Sequence, residues 1–177
     1  MGQFSAAVAS LRVGDPTEEA TEVGPLILPR EVDRVESWVK DAIDGGALAS
    51  TGAQRSGEYV YQPTVLIEPP MRAQVSTLEI FGPVTCIYGY SDLEQAVKRA
   101  NELPVAFQSA IFTSNISSAF KAAERLAAGA VMINDHTAFR VDWMPFGGQR
   151  TSGLSVGGIG YTMHDMTQEK LIVVKYS

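Results

Sequence analysis

The chain has 177 residues, enough to bury one core, and its 45% hydrophobic and 19% charged side chains suit a folded domain and exclude a disordered one. A net charge of −6 excludes a nucleic-acid footprint, since phosphate binding needs clustered cations and those here (Lys98, Arg99, Lys121, Arg125) are scattered along solvated helix faces. The single Cys86 excludes an internal disulfide, no apolar run nears the ~20 residues that span a bilayer, and no basic-then-apolar leader opens the sequence, so a cytoplasmic setting without a membrane partner is expected.

In chain order, Gln3 to Leu11 carries apolar residues at helical spacing and reads as the tail of a helix. Val13 to Leu28, punctuated by Gly-Asp-Pro and Gly-Pro and rich in acids, reads as an exposed connection. Glu31 to Ile43 places Val32, Val35, Val39 and Ile43 on one face among charged residues, which predicts an amphipathic helix stopped by Gly45-Gly46. The β-branched and aromatic run Tyr59 to Ile67 is interrupted by Pro63 and predicts an edge or irregular strand.

From Val84 to Ile133 the pattern alternates. Val84 to Tyr90, Ser109 to Thr113 and Val131 to Asn134 read as strands; Leu93 to Leu103 and Ala119 to Leu126 read as helices. That alternation predicts an α/β fold with a mostly parallel sheet and helices on both faces. Asp135 to Tyr161 is glycine-rich and almost patternless, and loops of this length in compact chains are functional or disordered. The terminal LIVVKY run is strand-forming, and without a following helix to cover its edge it is expected to pair with another element or another subunit.

The residues narrow the chemistry. There is no G-x-G-x-x-G after a strand, no P-loop and no His/Cys cluster at metal-ligand spacing, so no metal site is expected; His136 and His164 read as loop hydrogen-bonders. Cys86 sits inside a strand, without a helix N-terminus or cationic neighbours to lower its pKa, and reads as a small hydrophobe. The glycines of PFGGQRTSGLSVGGIG suit tight turns and close backbone approach better than phosphate binding, for no lysine accompanies them.

An ordered series of motifs runs nearly the whole length: VGDP at Val13 to Pro16, GPLI at Gly24 to Ile27, QPTVL at Gln62 to Leu66 and EIFGPV at Glu79 to Val84. It continues with Ala100-Asn101, AIFT at Ala110 to Thr113, AGAVMIN at Ala128 to Asn134, PFGG at Pro145 to Gly148, Ser152-Gly153 and MTQEKLIVV at Met166 to Val174. In this order they resemble the aldehyde dehydrogenase superfamily, specifically the C-terminal part of its catalytic domain. The resemblance implies that residues 1–165 form that portion of the domain and that 166–177 form an oligomerisation strand, in a dimer or tetramer.

The resemblance also implies roles. Glu79 would accept hydrogen bonds from the ribose beside the nicotinamide of NAD or NADP, and Phe81 would pack by that nucleotide. Phe146 would line the aldehyde tunnel, and Phe139, Arg140 and Trp143 occupy the substrate-facing loop, where the Arg140 guanidinium could clamp an anionic group. Taken alone, the same residues read as an ordinary turn at Glu79 and Phe81 and a solvated or Asp142-paired Arg140.

Two departures are visible. Gly157 stands where many members carry a Glu, and Leu78 precedes Glu79 where a second acid would stand. The stretch GGIGYTMHDMTQEK is similar to the subgroup acting on small polar or anionic aldehydes such as lactaldehyde, succinate semialdehyde or glyceraldehyde 3-phosphate. The reaction implied passes through a cysteine thiohemiacetal, yet the nucleophilic Cys, the base Glu and the dinucleotide-binding domain match nothing here. No catalytic residue is therefore expected in the chain, which alone is expected to be inactive and to bind NAD or NADP weakly or not at all. The alternative is a non-catalytic interaction or oligomerisation module.

Overall fold

The computed structural model describes residues 2–176 and divides into two compact units, 1–89 and 90–177. In the N-terminal unit, helix α1 (Gly2–Ala9) leads into the 10–28 connection, which folds back on itself through a parallel bridge between Val13 and Val23. Helix α2 (Pro29–Asp44) starts with proline at its first position, where no N–H is needed, and ends at Gly45 and Gly46, the latter at φ 110°. Its apolar stripe, Val32, Val35, Val39 and Ala42, is buried together with Tyr61, Leu66 and Val75. That set is the core of the unit.

The α2 stripe packs with one three-stranded sheet ordered β1 (Leu48–Thr51), β2 (Thr64–Ile67) and β3 (Val84–Ile87). Strand β1 runs antiparallel to β2 with an irregularity between Ala49 and Thr51; β3 runs parallel to β2. The edge-strand expectation is therefore corrected: β2 is central. Pro63 lies one residue before the strand, so its missing N–H is never asked of the ladder, and the Thr64 N–H donates to the Pro83 carbonyl at 2.8 Å. A short helix, α3 (Gln74–Thr77), precedes the 78–83 loop.

In the C-terminal unit, α4 (Leu93–Ala100) is capped by Asp92, whose side chain accepts from the Glu94 N–H at 3.1 Å. After β4 (Val105–Ala106) and β5 (Gln108–Ile111), helix α5 (Ile116–Arg125) begins three residues earlier than its apolar pattern suggests, because Asn115 caps it through the Ser118 N–H. Strand β6 (Ala130–Ile133) pairs parallel with β5. Asn101, just past α4, donates to the Arg125 carbonyl and accepts from the Ala127 N–H, tying the ends of α4 and α5 together. Asn134, at φ 58°, bonds both backbone groups of Thr113 and closes the end of the β5–β6 pair.

The patternless stretch is more ordered than expected. It holds β7 (Gln149–Arg150), antiparallel to β4, and the first turn of helix α6 (Ile159–Asp165). Among the described residues, two of the four strand pairings are antiparallel and the four pairings fall in three separate sheets, which corrects the mostly parallel sheet to a mixed arrangement. The LIVVKY run forms no strand within the chain, and Leu171, Val173 and Tyr176 are more than four-fifths exposed.

Candidate functional site

In each unit a cleft carries candidate site residues named from the sequence. In the N-terminal unit the 78–83 loop leaves α3, crosses α2 and enters β3. Its lower side is apolar: Ile80 packs against the core, and a carbon added to Gly82 would meet a Val35 methyl at 2.9 Å, so only glycine lets the loop lie this close to the helix. Its ends are fixed by the Leu78 N–H on the Gln74 carbonyl and the Val84 N–H on the Gly82 carbonyl. Between these anchors Phe81 stands at φ 47°, a region L side chains rarely enter, and its ring is 72% exposed.

The loop and α2 enclose a cleft of about 680 Å³, lined by Leu26, Ile27, Arg34, Trp38, Glu79 and Phe81 among others. Glu79 and Phe81 are thus brought to one wall. The same lining includes Glu31, Arg34 and Trp38 of α2, a side-chain set that sequence reading missed. Arg34 donates from Nε to Glu31 at 2.8 Å and from Nη2 to the Ile80 carbonyl at 2.7 Å, with its guanidinium carbon 4.5 Å from the centre of the Trp38 ring. The hydrogen bond from Arg34 lowers the Glu31 pKa against the opposing pull of desolvation. The signal was present as Glu31, Arg34 and Trp38 at three- and four-residue steps, which on a helix reads as an ordinary solvated pair.

In the C-terminal unit, Phe146 is half-buried. Its ring meets Phe107 edge-on at 5.0 Å between centroids, and the guanidinium carbon of Arg140 lies 4.0 Å above it. Arg140 and Asp142 line a second cleft of about 480 Å³ with Gly158, Thr162, Met163 and Met166. Phe146 supports Arg140 from behind and does not itself line this cleft; Phe139 and Trp143, both exposed, stand outside it. Phe146 also exchanges two backbone hydrogen bonds with Gly157, at 2.7 and 3.0 Å. Gly157 therefore works through its backbone, closing the PFGG turn.

Cys86 lies on β3, half-buried, with its Sγ 3.5 Å from the Val75 carbonyl oxygen, to which it donates. Burial pushes its pKa up, opposed in smaller part by a hydrogen bond from Tyr88. That is the opposite of what a nucleophile requires. Among the described residues no group of His, Cys, Asp and Glu could hold a metal ion, and no helix is long and apolar enough to cross a membrane.

The chain thus carries a Glu-Ile-Phe-Gly-Pro loop over a helix in one unit and a Pro-Phe-Gly-Gly turn behind an arginine in the other. The model of the aldehyde dehydrogenase family matches residues 1–172, and the chain belongs to that family. The 3-sulfolactaldehyde dehydrogenase of Priestia aryabhattai is 37% identical over 93% of this chain and 34% of its own length. The lactaldehyde dehydrogenase of Methanococcus maripaludis is 36% identical over 93% of this chain and 35% of its own.

Among solved structures, aldehyde dehydrogenase 21 of Physcomitrella patens, in complex with the reaction product succinate, superposes with a TM-score of 0.89 at 42% identity, over 93% of this chain and 34% of that one. The glyceraldehyde-3-phosphate dehydrogenase of Methanocaldococcus jannaschii, complexed with NADP, gives 0.88 at 38% identity, over 93% and 36%. The chain spans about a third of the length of the curated relatives it matches.

The environment of Cys86 makes a chemical prediction. Because burial raises its pKa, the thiol is protonated at neutral pH, and alkylation by iodoacetamide is expected to run slower than for a free cysteine and to accelerate as pH climbs past the ordinary cysteine value. Alkylation at pH 7 as fast as the free amino acid would show an activated thiol instead.

Proposed function

We propose that this chain supplies the nicotinamide-side and substrate-side surfaces of an NAD(P)-dependent aldehyde dehydrogenase. The reaction is oxidation of a small polar or anionic aldehyde to its carboxylic acid through a cysteine thiohemiacetal. The observation that carries the reading is the pairing of Glu79 and Phe81 on one wall of an open cleft. An exposed carboxylate accepts hydrogen bonds from two vicinal hydroxyls, and an exposed aromatic face covers a sugar or a nicotinamide ring. The cleft's volume and its apolar residues, Leu26 and Ile27, suit the flat half of a dinucleotide. When bound, the nicotinamide supplies the hydride acceptor.

The chain's own residues bind and orient. Glu79 fixes the ribose, Phe81 limits where the ring above it can lie, and Arg140, backed by Phe146, offers a guanidinium to the polar end of the aldehyde. Relatives named for sulfolactaldehyde and lactaldehyde, and a neighbour solved with succinate, support a small polar or anionic substrate. The thiolate comes from a residue other than Cys86, whose thiol faces a carbonyl in a strand. Phe139 is the least supported of the specificity residues, since it lies away from the Arg140 cleft.

A second reading rests on the exposed apolar terminus, Leu171 to Tyr176. We propose that this segment adds as a strand to a second copy, building a homo-oligomer whether or not the chain takes part in catalysis. Removal of Leu171 to Ser177 should then lower the mass measured by light scattering; an unchanged mass refutes the idea.

For the principal reading, the purified chain mixed with NAD or NADP and lactaldehyde or succinate semialdehyde is expected to form no reduced cofactor. Added succinate should shift the side-chain NMR signal of Arg140 and the amide signals of Thr162 and Met163 in the same cleft, and Arg140→Met should abolish the amide shifts. Turnover that disappears in Cys86→Ser would overturn the account of the nucleophile, and silence of Arg140 toward succinate would remove the anionic substrate.

A further inference from the structure

We infer that Arg34 is a positioning residue for the 78–83 loop: by holding the Ile80 carbonyl it fixes the conformation in which Glu79 and Phe81 face the cleft. The link to a cofactor rests on the reading given above for Glu79 and Phe81; the conformational claim does not. The Ile80 carbonyl belongs to the peptide plane immediately before Phe81, and the orientation of that plane about the N–Cα bond is the φ of Phe81. A hydrogen bond of 2.7 Å from Nη2 to that oxygen therefore acts directly on the torsion that stands at 47°.

A non-glycine residue persists in the left-handed region only where its surroundings over-determine it. Here they do so from two sides. Beneath the loop, Gly82 rests against Val35, which is completely buried and cannot recede. Above, Arg34 holds the carbonyl, and the guanidinium is itself held: its Nε donates to Glu31 and its face lies over Trp38. Two donors of a planar fork and its face are used at once, which a lysine ammonium cannot reproduce. Glu31 and Trp38 stand one helical turn either side of Arg34, so the clamp is built on one rigid element, and Arg34, Trp38, Glu79 and Phe81 share the walls of the same cleft.

The test uses the isotopically labelled chain. Without ligand, the wild type should show the strong contact between the amide and α protons of Phe81 that marks a positive φ. Arg34→Met should weaken or average it while the amide signals of β2 stay in place, and Arg34→Lys should not restore it. Should Arg34→Met fail to fold, Glu31→Gln, which leaves the arginine but frees its orientation, should weaken the same contact in part. A Phe81 signature unchanged in whichever variant folds refutes the positioning claim.

With NADP as the probe, wild-type Glu79 and Phe81 amides should shift, and Arg34→Met should raise the apparent Kd by about tenfold as the loop loses its pre-organised form. Affinity unchanged in Arg34→Met would also overturn the claim. Wild-type amides that ignore NADP while the Phe81 signature still depends on Arg34 would instead overturn the cofactor reading and leave the clamp standing.

Discussion

The contact between Gly82 and Val35 sets the height of everything above it in the N-terminal unit. Val35 is locked into the buried stripe of α2, and a loop residue with a β-carbon would be pushed off it. Because Gly82 permits the approach, Ile80 reaches the core, its carbonyl comes within reach of Arg34, and Phe81 is turned outward in a conformation it would not choose alone. Core packing and site geometry are thus one constraint. A helix that buries Val32, Val35, Val39 and Ala42 on one side presents Glu31, Arg34 and Trp38 to the loop on another.

The C-terminal unit reaches a similar end by other means. Its glycine-rich turn is held by backbone bonds between Phe146 and Gly157, and the Phe146 ring stiffens an exposed arginine by lying under it. Stacking of this kind leaves the guanidinium edge free to bind an anion while removing rotamer freedom that binding would otherwise cost. In both units an arginine is oriented by an aromatic ring. In the first it serves the fold of a loop; in the second it is proposed to serve a substrate.

Much of the helical structure was legible because α2 and α5 bury residues at helical spacing and α4 centres on the buried Val97, whereas the Asn115 cap that starts α5 three residues earlier was not read. Strands β3, β5 and β6 announced themselves as short β-branched or apolar runs. Strand β1 did not: its sequence is Leu-Ala-Ser-Thr, half exposed, and it is defined by pairing with β2 across an irregular register. Pro63 misled because its effect depends on whether it falls inside the ladder or one residue before it, and sequence cannot fix that boundary. The 135–158 segment gave no period because its order comes from backbone approach at glycines. Of the site, Glu79, Phe81, Arg140 and Phe146 were reached through motif resemblance, whereas Arg34 was not, since its partner is a main-chain oxygen 46 residues away.

The central claim is that the loop over α2 is built to receive the nicotinamide half of a dinucleotide. Saturation-transfer NMR on the unmodified chain with NADP tests it most directly, because it reports which ligand protons touch the protein. The account predicts strong transfer to the nicotinamide ring and its ribose, weak transfer to the adenine, and loss of the ribose signal in Glu79→Gln. Transfer confined to the adenine, or a ribose signal indifferent to Glu79→Gln, would contradict it.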